Sequence, residues 1–379
     1  MNSRQAFIFK HYKALLSSYN GNLPFHSFFN NYTKANSGLG SKDRRILREL
    51  IYQTFRLGTV WKNTDPETVL HWLAGSGNLN SELMTSFFTG LPSDNFPPEF
   101  DYPFKAELPN SLQNKEYFTS ITLQPLLWVR IKNDPKSNLE TFKSQYENSI
   151  VSVVNVNEHF TAVGLKNGTL LQENALQYEV QDLASQKACS EVKVEKGLKV
   201  WDCCSGAGGK SLFLAEMQPK LKLYASDIRP SILHNLKQRF KSKRLDMPKS
   251  AVIDISVPTQ TLKVENDQIT PGYFDIIIAD VPCSGSGTWA REPENLSFFN
   301  VADLDKIVER QILIVKNALH FLKSGGKLYY ITCSVFEREN LGVITALEKE
   351  GLVKIASSRL ITGFEDKADN LFVGVLEKG

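Results

Sequence analysis

The sequence predicts an α/β domain built on a mainly parallel sheet covered on both faces, preceded by an all-helical region and a small α+β module. Three observations carry this expectation. From residue 199 onward, apolar strand-like runs alternate with helical stretches, a pattern that requires crossover connections. From Arg4 to about Leu73, apolar residues recur at helical spacing instead. Between these regions, residues 91–103 are rich in Pro, Asp and Asn and break the pattern, which marks a linker or loop.

In the helical region Ile46, Leu47, Leu50, Ile51 and Phe55 form one stripe edged by Arg45, Arg48 and Arg56, with Asp43 and Ser41 as equal candidates for its N-cap. A boundary is expected within 90–118. The run Pro125–Ile131 reads as a strand, Asn138–Glu147 as a helix capped by Asn138, and Val151–Val154 and Thr161–Leu165 as further strands. Strands follow at Lys199–Asp202, Leu221–Ser226, Ala251–Asp254, Phe274–Asp280 and Lys327–Thr332. The intervening helices are expected at Lys210–Met217, Pro230–Arg244, Asp303–Leu322 and Glu337–Glu350. The closing pair, about Leu352–Ser358 and Leu371–Glu377, suits an antiparallel edge. The domains expected are 1–118, helical with its linker, 119–184, small α+β, and 185–379, α/β.

A chain of 379 residues suits two or three folded domains. It has no apolar run long enough to cross a membrane and no apolar leader at its start, so a cytoplasmic location is the expectation, without membrane association. The five cysteines contain no C-x-x-C pair and the six histidines show no ligand spacing, which supports neither a disulfide framework nor a metal site. Charge is unevenly spread. Residues 1–60 carry nine Lys/Arg against two acidic residues, and residues 220–249 repeat that imbalance. Two basic regions suit a polyanionic partner, although a solvated helix face has the same composition. No obligatory protein partner is evident, and a monomer is expected.

The segment Trp201–Ser211 leaves the first α/β strand and opens a helix, with glycines that let backbone N–H groups approach a ligand. A phosphate-binding loop would need Gly where Cys204 stands, and the third Gly of a dinucleotide fingerprint would fall at Ser211. A nicotinamide oxidoreductase is thereby disfavoured. Asp227, Asp254 and Asp280 end three successive strands, a rim suited to the hydroxyls and cationic sulfonium of S-adenosylmethionine and unsuited to polyphosphate. Cys204, Ser205, Gly206, Ala207, Gly208, Gly209 and Lys210, with the three aspartates, are therefore the expected cofactor residues.

Cys283 and Cys333 each lie just beyond a strand, where open sheets place their chemistry. Two thiols there suit covalent catalysis, since a thiolate is the strongest common nucleophile near neutral pH. Cys189, Cys203 and Cys204 read as small buried hydrophobes.

These motifs resemble the Sun/Fmu-type RNA cytosine-C5 methyltransferases that include the RsmB group acting on ribosomal RNA. Residues 202–210 resemble that family's D-x-C-A-A-P-G-G-K, Asp280–Gly287 its D-A-P-C-S-G-x-G, and Tyr330–Ser334 its Y-S-T-C-S. Val180–Ser185, Glu339-Asn340 and the ending Asp369–Lys378 add further matches. Residues 39–56 look like the family's NusB-like domain, and Pro125–Arg130 like its small RNA-binding module. One departure is Ser205-Gly206-Ala207 in place of A-A-P, which removes a stiffening proline from the loop.

The resemblance implies a Rossmann-like methyltransferase domain that uses S-adenosylmethionine on RNA, with Cys333 as the nucleophile adding to carbon 6 of cytosine. Asp280 would hydrogen-bond ring N3 and the exocyclic amine, its carboxyl protonated for part of the cycle, and Cys283 would help release the product. Lys210 either orients Asp280 and favours its ionised form or points to solvent. Lys237, Lys241 and Arg244 share a helix face suited to phosphates, as does the N-terminal basic cluster. The competing class is a non-catalytic RNA-binding assembly factor that keeps the fold, against which intact Cys283, Cys333 and Asp280 argue.

Overall fold

The computed structural model describes residues 1–76, 82–94, 102, 104–133, 139–172 and 178–379. These form two compact units. One comprises 1–106, 111–124 and 289–300, and the other 107–110, 125–288 and 301–379. Asn138, the expected cap, and residues 95–101 and 103 of the expected linker lie outside the described residues.

The first unit is helical, as expected: α1 (Ser3–Ser18), α2 (Phe25–Ala35), α3 (Ser41–Phe55), α4 (Pro66–Gly75), α5 (Glu82–Phe88) and α6 (Lys115–Ile121). Asn2 begins α1 with a reciprocal capping box to Gln5, and Asp65 caps α4 ahead of Pro66. For α3 the cap is Gly40. Asp43 acts from inside the first turn, accepting the Gly40 N–H at 3.3 Å, and Ser41 is already helical. The core of this unit gathers Tyr19, Phe25, Phe55 and Trp61 around Phe298. Phe298 comes from a distant part of the chain. Its short helix α11 (Pro293–Phe298) interrupts the α/β sequence, with Ser297 accepting from Trp61 Nε1 at 3.1 Å and donating to Phe55 O at 2.8 Å. Arg56, expected at an exposed edge, is 4% exposed and donates to Ala290 O at 2.9 Å.

The second unit opens with β1 (Leu127–Lys132), α7 (Leu139–Tyr146), β2 (Ile150–Asn155), β3 (Phe160–Leu165) and β4 (Glu179–Val180), an antiparallel sheet in the order β2-β3-β1-β4. After α8 (Leu183–Ser190) come β5 (Lys199–Asp202), α9 (Gly209–Met217), β6 (Lys222–Asp227), α10 (Pro230–Ser242) and β7 (Lys249–Val252). A hairpin follows, β8 (Leu262–Val264) and β9 (Asp267–Ile269), then β10 (Phe274–Asp280). Beyond α11 the chain makes α12 (Leu304–His320), β11 (Leu322–Thr332), α13 (Val343–Lys349), β12 (Lys354–Ile361) and β13 (Leu371–Glu377). The large sheet has the order β12-β13-β11-β10-β5-β6-β7. β11, β10, β5, β6 and β7 run parallel, and β13 pairs antiparallel with both β11 and β12.

This is a Rossmann-like α/β fold, as expected. Both faces carry apolar cores, one around Trp201, Phe274 and Ile314, the other around Leu212, Leu236 and Ile331. Each such fully buried large apolar side chain contributes about 1.5–3 kcal/mol by leaving water. The small sheet shares this unit because charged side chains join it to the α/β part. Arg130 on β1 meets Glu216 on α9 at 2.6 Å, and Glu179 on β4 meets Arg239 on α10 at 2.5 Å.

Candidate active site

Parallel pairing of β10 with β11 sets Asp280 opposite Ile331, so the turns that follow leave the sheet side by side. Cys283 and Cys333 face each other there, Sγ to Sγ 3.2 Å, both unbridged. The Cys333 sulfur beside it, then burial, then the Glu339 carboxylate push the Cys283 thiol well above the ordinary thiol range.

Lys210, in the first turn of α9, does not point to solvent. Its Nζ donates to Asp280 Oδ2 at 2.5 Å with the side chain 13% exposed. Burial alone would lower this ammonium, but Asp280 first, with Cys189 and Asp202, holds it above the ordinary lysine range. The pair stands at the carboxyl edge of the sheet, between the glycine loop and the cysteine turns.

The loop that lacks the family's proline is restrained by its neighbours. Ser205 N–H donates to Ser226 O at 2.8 Å and Gly206 N–H to Asp227 Oδ2 at 3.0 Å. Ala207 O accepts from Arg239 at 2.7 Å, and Gly209 O from Gln181 at 3.4 Å. Gly208 has φ +80°, and a Cβ there would meet Leu236 at 2.7 Å, so both conformation and space require glycine.

The acidic rim is unequal. Asp227 is 6% exposed and accepts from the backbone and guanidinium of Arg229. Burial opposes its ionisation, but Arg229 and the Gly206 N–H hold its carboxyl below the usual range. Asp254 lies two residues past β7 in an exposed turn, its Oδ1 taken up by the N–H and hydroxyl of Ser256 at 3.0 and 2.5 Å. Asp202, absent from the expected site list, is 1% exposed. It accepts from Ser211 at 2.6 Å through Oδ2, while Oδ1 is buried without a partner. Burial pushes its carboxyl up to about 7, with Asp280 and Asp227 adding to the shift and Ser211 and Lys210 opposing it.

Residues 191–369 match the family model described as 16S rRNA methyltransferase RsmB/F. Over this segment the chain is similar to that family. Among curated relatives, the ribosomal RNA small subunit methyltransferase B of Shewanella oneidensis is 30% identical over 187 residues, 48% of this chain and 40% of that protein. The protein of the same name from Vibrio cholerae is 30% identical over 207 residues, 52% of this chain and 46% of that one. The matched stretch thus spans under half the length of these RsmB relatives. Among solved structures, PH0851 superposes with TM-score 0.67 at 20% identity, covering 92% of this chain and 93% of that one. NSun6 from Pyrococcus horikoshii, solved with SFG, gives 0.60 at 12% identity, covering 74% and 98%. These likenesses show a fold shared over most of this chain, including parts outside the matched segment.

Several site residues escaped the sequence reading. Glu339 was legible only as part of a family match, yet it is fully buried between the two cysteine turns. Arg239 and Lys243 counted as basic surface, but they pair with Glu179 and Glu216. Lys237, Lys241 and Arg244 remain exposed. Of the three cysteines expected to be buried, Cys189 and Cys203 are 1% exposed, and burial pushes the Cys189 thiol up to about 11, whereas Cys204 in the glycine loop is only partly buried.

Proposed function

We propose that this chain methylates carbon 5 of a cytosine in RNA, the RNA of the small ribosomal subunit, through a cysteine adduct at carbon 6. The observation that carries the reading is the 3.2 Å contact of two unbridged thiols at adjacent parallel strand ends, on the same sheet edge as the Lys210–Asp280 pair. The names of the RsmB relatives support RNA of the small subunit as the substrate.

The residues present fit S-adenosylmethionine, which when bound supplies an electrophilic methyl on its sulfonium. Asp227 would take the ribose hydroxyls, since its partner Arg229 is 62% exposed and free to turn outward. Residues 204–209 would hold the amino-acid end through backbone, and Asp254 would complete the rim. Carbon 5 of cytosine is a poor nucleophile until aromaticity is broken. Addition of the Cys333 thiolate at carbon 6 breaks it and makes carbon 5 enamine-like. Asp280, steadied by Lys210, hydrogen-bonds N3 and the exocyclic amine as charge moves there. Cys283 then helps remove the carbon 5 proton, directly or through water, so that Cys333 can leave.

The test is methyl transfer from labelled S-adenosylmethionine to 16S rRNA, with bisulfite mapping of the product. Cys333→Ala should abolish transfer, and Cys283→Ala should accumulate a protein–RNA adduct stable in denaturing gels. Turnover by Cys333→Ala at the wild-type rate would sink the assignment. A wild-type chain that binds RNA without methylating it would favour the assembly-factor reading.

A further inference from the structure

The Glu339 carboxylate is fully buried, and its recorded partners are four neutral donors. Oε1 accepts from the Ser284 N–H at 2.8 Å and from Gln311 Nε2 at 3.0 Å. Oε2 accepts from the hydroxyls of Ser284 and Ser334, each at 2.5 Å. Two N–H groups and two hydroxyls meet the two carboxylate oxygens, a set that an ionised carboxylate can accept in full. Burying such a charge is expensive, and packing alone would be served better by an apolar residue.

Its two serines explain its position. Ser284 follows Cys283 directly, and Ser334 follows Cys333, so one side chain ties both cysteine turns. A π-turn at Arg338–Gly342 directs Glu339 and Asn340 inward together. Asn340 holds the same turn from the other side, accepting from Thr332 Oγ1 at 2.6 Å and donating to Ser334 O at 2.9 Å. The groups facing Cys283 that can carry charge are Cys333, Glu339 and Tyr330, whose hydroxyl donates to Glu339 O at 2.6 Å.

We propose that Glu339 is a positioning residue that locks the two cysteine turns together, holding the Cys283 turn by two hydrogen bonds and the Cys333 turn by one, so that Cys333 is the thiol left freer to react. The inference rests on the two-cysteine reading but is read out without RNA or methyl transfer. Its role is to make two adjacent thiols chemically unequal.

The experiment is alkylation of the intact chain by iodoacetamide across pH, with the rate at each cysteine read by peptide mass mapping. In the wild type Cys333 should react ahead of Cys283. Glu339→Gln keeps size and removes charge. The amide nitrogen cannot accept the donors that a carboxylate oxygen does, so the Cys283 turn loosens and the Cys283 rate relative to Cys333 should rise at least threefold near neutral pH. A Cys283/Cys333 ratio within twofold of wild type, in a variant that melts as wild type does, overturns the proposal. Ser284→Ala keeps the charge and cuts one tie, and serves if Glu339→Gln does not fold. Its Cys283 rate should rise at least threefold, and an unchanged ratio overturns the proposal equally. Failure of the wild type to methylate 16S rRNA would remove the methyltransferase reading and leave the alkylation result standing.

Discussion

Lys210 reaches from the first turn of α9 to Asp280 at the end of β10, Nζ to Oδ2 2.5 Å, and so joins the cofactor loop to the cysteine motif. On the proposed mechanism the ammonium sits where negative charge gathers as the nucleophile adds to the base, and removing such a fixed charge typically costs two to three orders of magnitude in rate. Lys210→Met should therefore lower single-turnover methyl transfer by about 10²–10³-fold. Lys210→Arg should not rescue it, because the side chain is 13% exposed and a planar fork needs more room than a point charge. Rapid-quench measurement with labelled S-adenosylmethionine checks both variants, and a rate within threefold of wild type for Lys210→Met would remove Lys210 from the chemistry.

The 3.2 Å separation of Cys283 and Cys333 also makes the pair oxidisable. A thiolate attacks hydrogen peroxide, leaving a sulfenic acid and water. The second thiol then displaces that oxygen as another water and forms the disulfide, with two electrons passing to the peroxide. Brief treatment should lower the mass by about two daltons, remove methyl transfer and be reversed by dithiothreitol. Peptide mapping should place the bridge between 283 and 333, with Cys189 and Cys203 untouched behind their burial. A bridge elsewhere, or inactivation that thiols do not reverse, would contradict the proximity argument.

How much of this was legible in the sequence follows the range of each interaction. Phe274–Asp280 and Lys199–Asp202 have the bounds expected of them, because continuous apolar runs declare buried parallel strands. Both cysteines and Asp280 were legible for the same reason, since a strand end locates its own turn. β11 begins at Leu322 instead of Lys327, where Gly325 at φ +71° lets an irregular strand start early. What failed was whatever depends on a distant partner. Arg56 reads as surface until Ala290 O is seen beside it, and α11 lies in the α/β sequence while building the helical unit. Local charge counts cannot reveal that Arg239 and Lys243 are already paired.

Arg239 carries a further prediction, because it binds Ala207 O at 2.7 Å and Glu179 at 2.5 Å. It thereby restrains the loop position at which the family pattern has proline. Losing a charge-assisted hydrogen bond of this kind costs about 1.5–3 kcal/mol locally. Arg239→Ala should weaken S-adenosylmethionine binding about tenfold, read by calorimetry, while RNA affinity changes less. Ala207→Pro in the Arg239→Ala background should recover part of the loss if loop freedom is the cause. Unaltered cofactor affinity in Arg239→Ala would mean that the loop holds its shape without this clamp.

Asp202 ties the stability of the α/β unit to pH. Its carboxyl sits at about 7 in the fold, against 3.8 unperturbed, chiefly because it is buried. Between those values the folded chain keeps a proton that the unfolded chain has released, so this group's contribution to stability falls as pH rises through the window and levels off above it. The slope is about 1.4 kcal/mol per pH unit at most, reduced by any relaxation around the site. Asp202→Asn cannot ionise and still offers an oxygen to Ser211. Its melting temperature relative to wild type should therefore climb steadily from pH 4.5 to pH 7 and stay constant above about pH 8. Scanning calorimetry of both chains across that range measures the difference directly, and a difference that is flat or falls with pH would show that Asp202 is ionised in the folded state throughout.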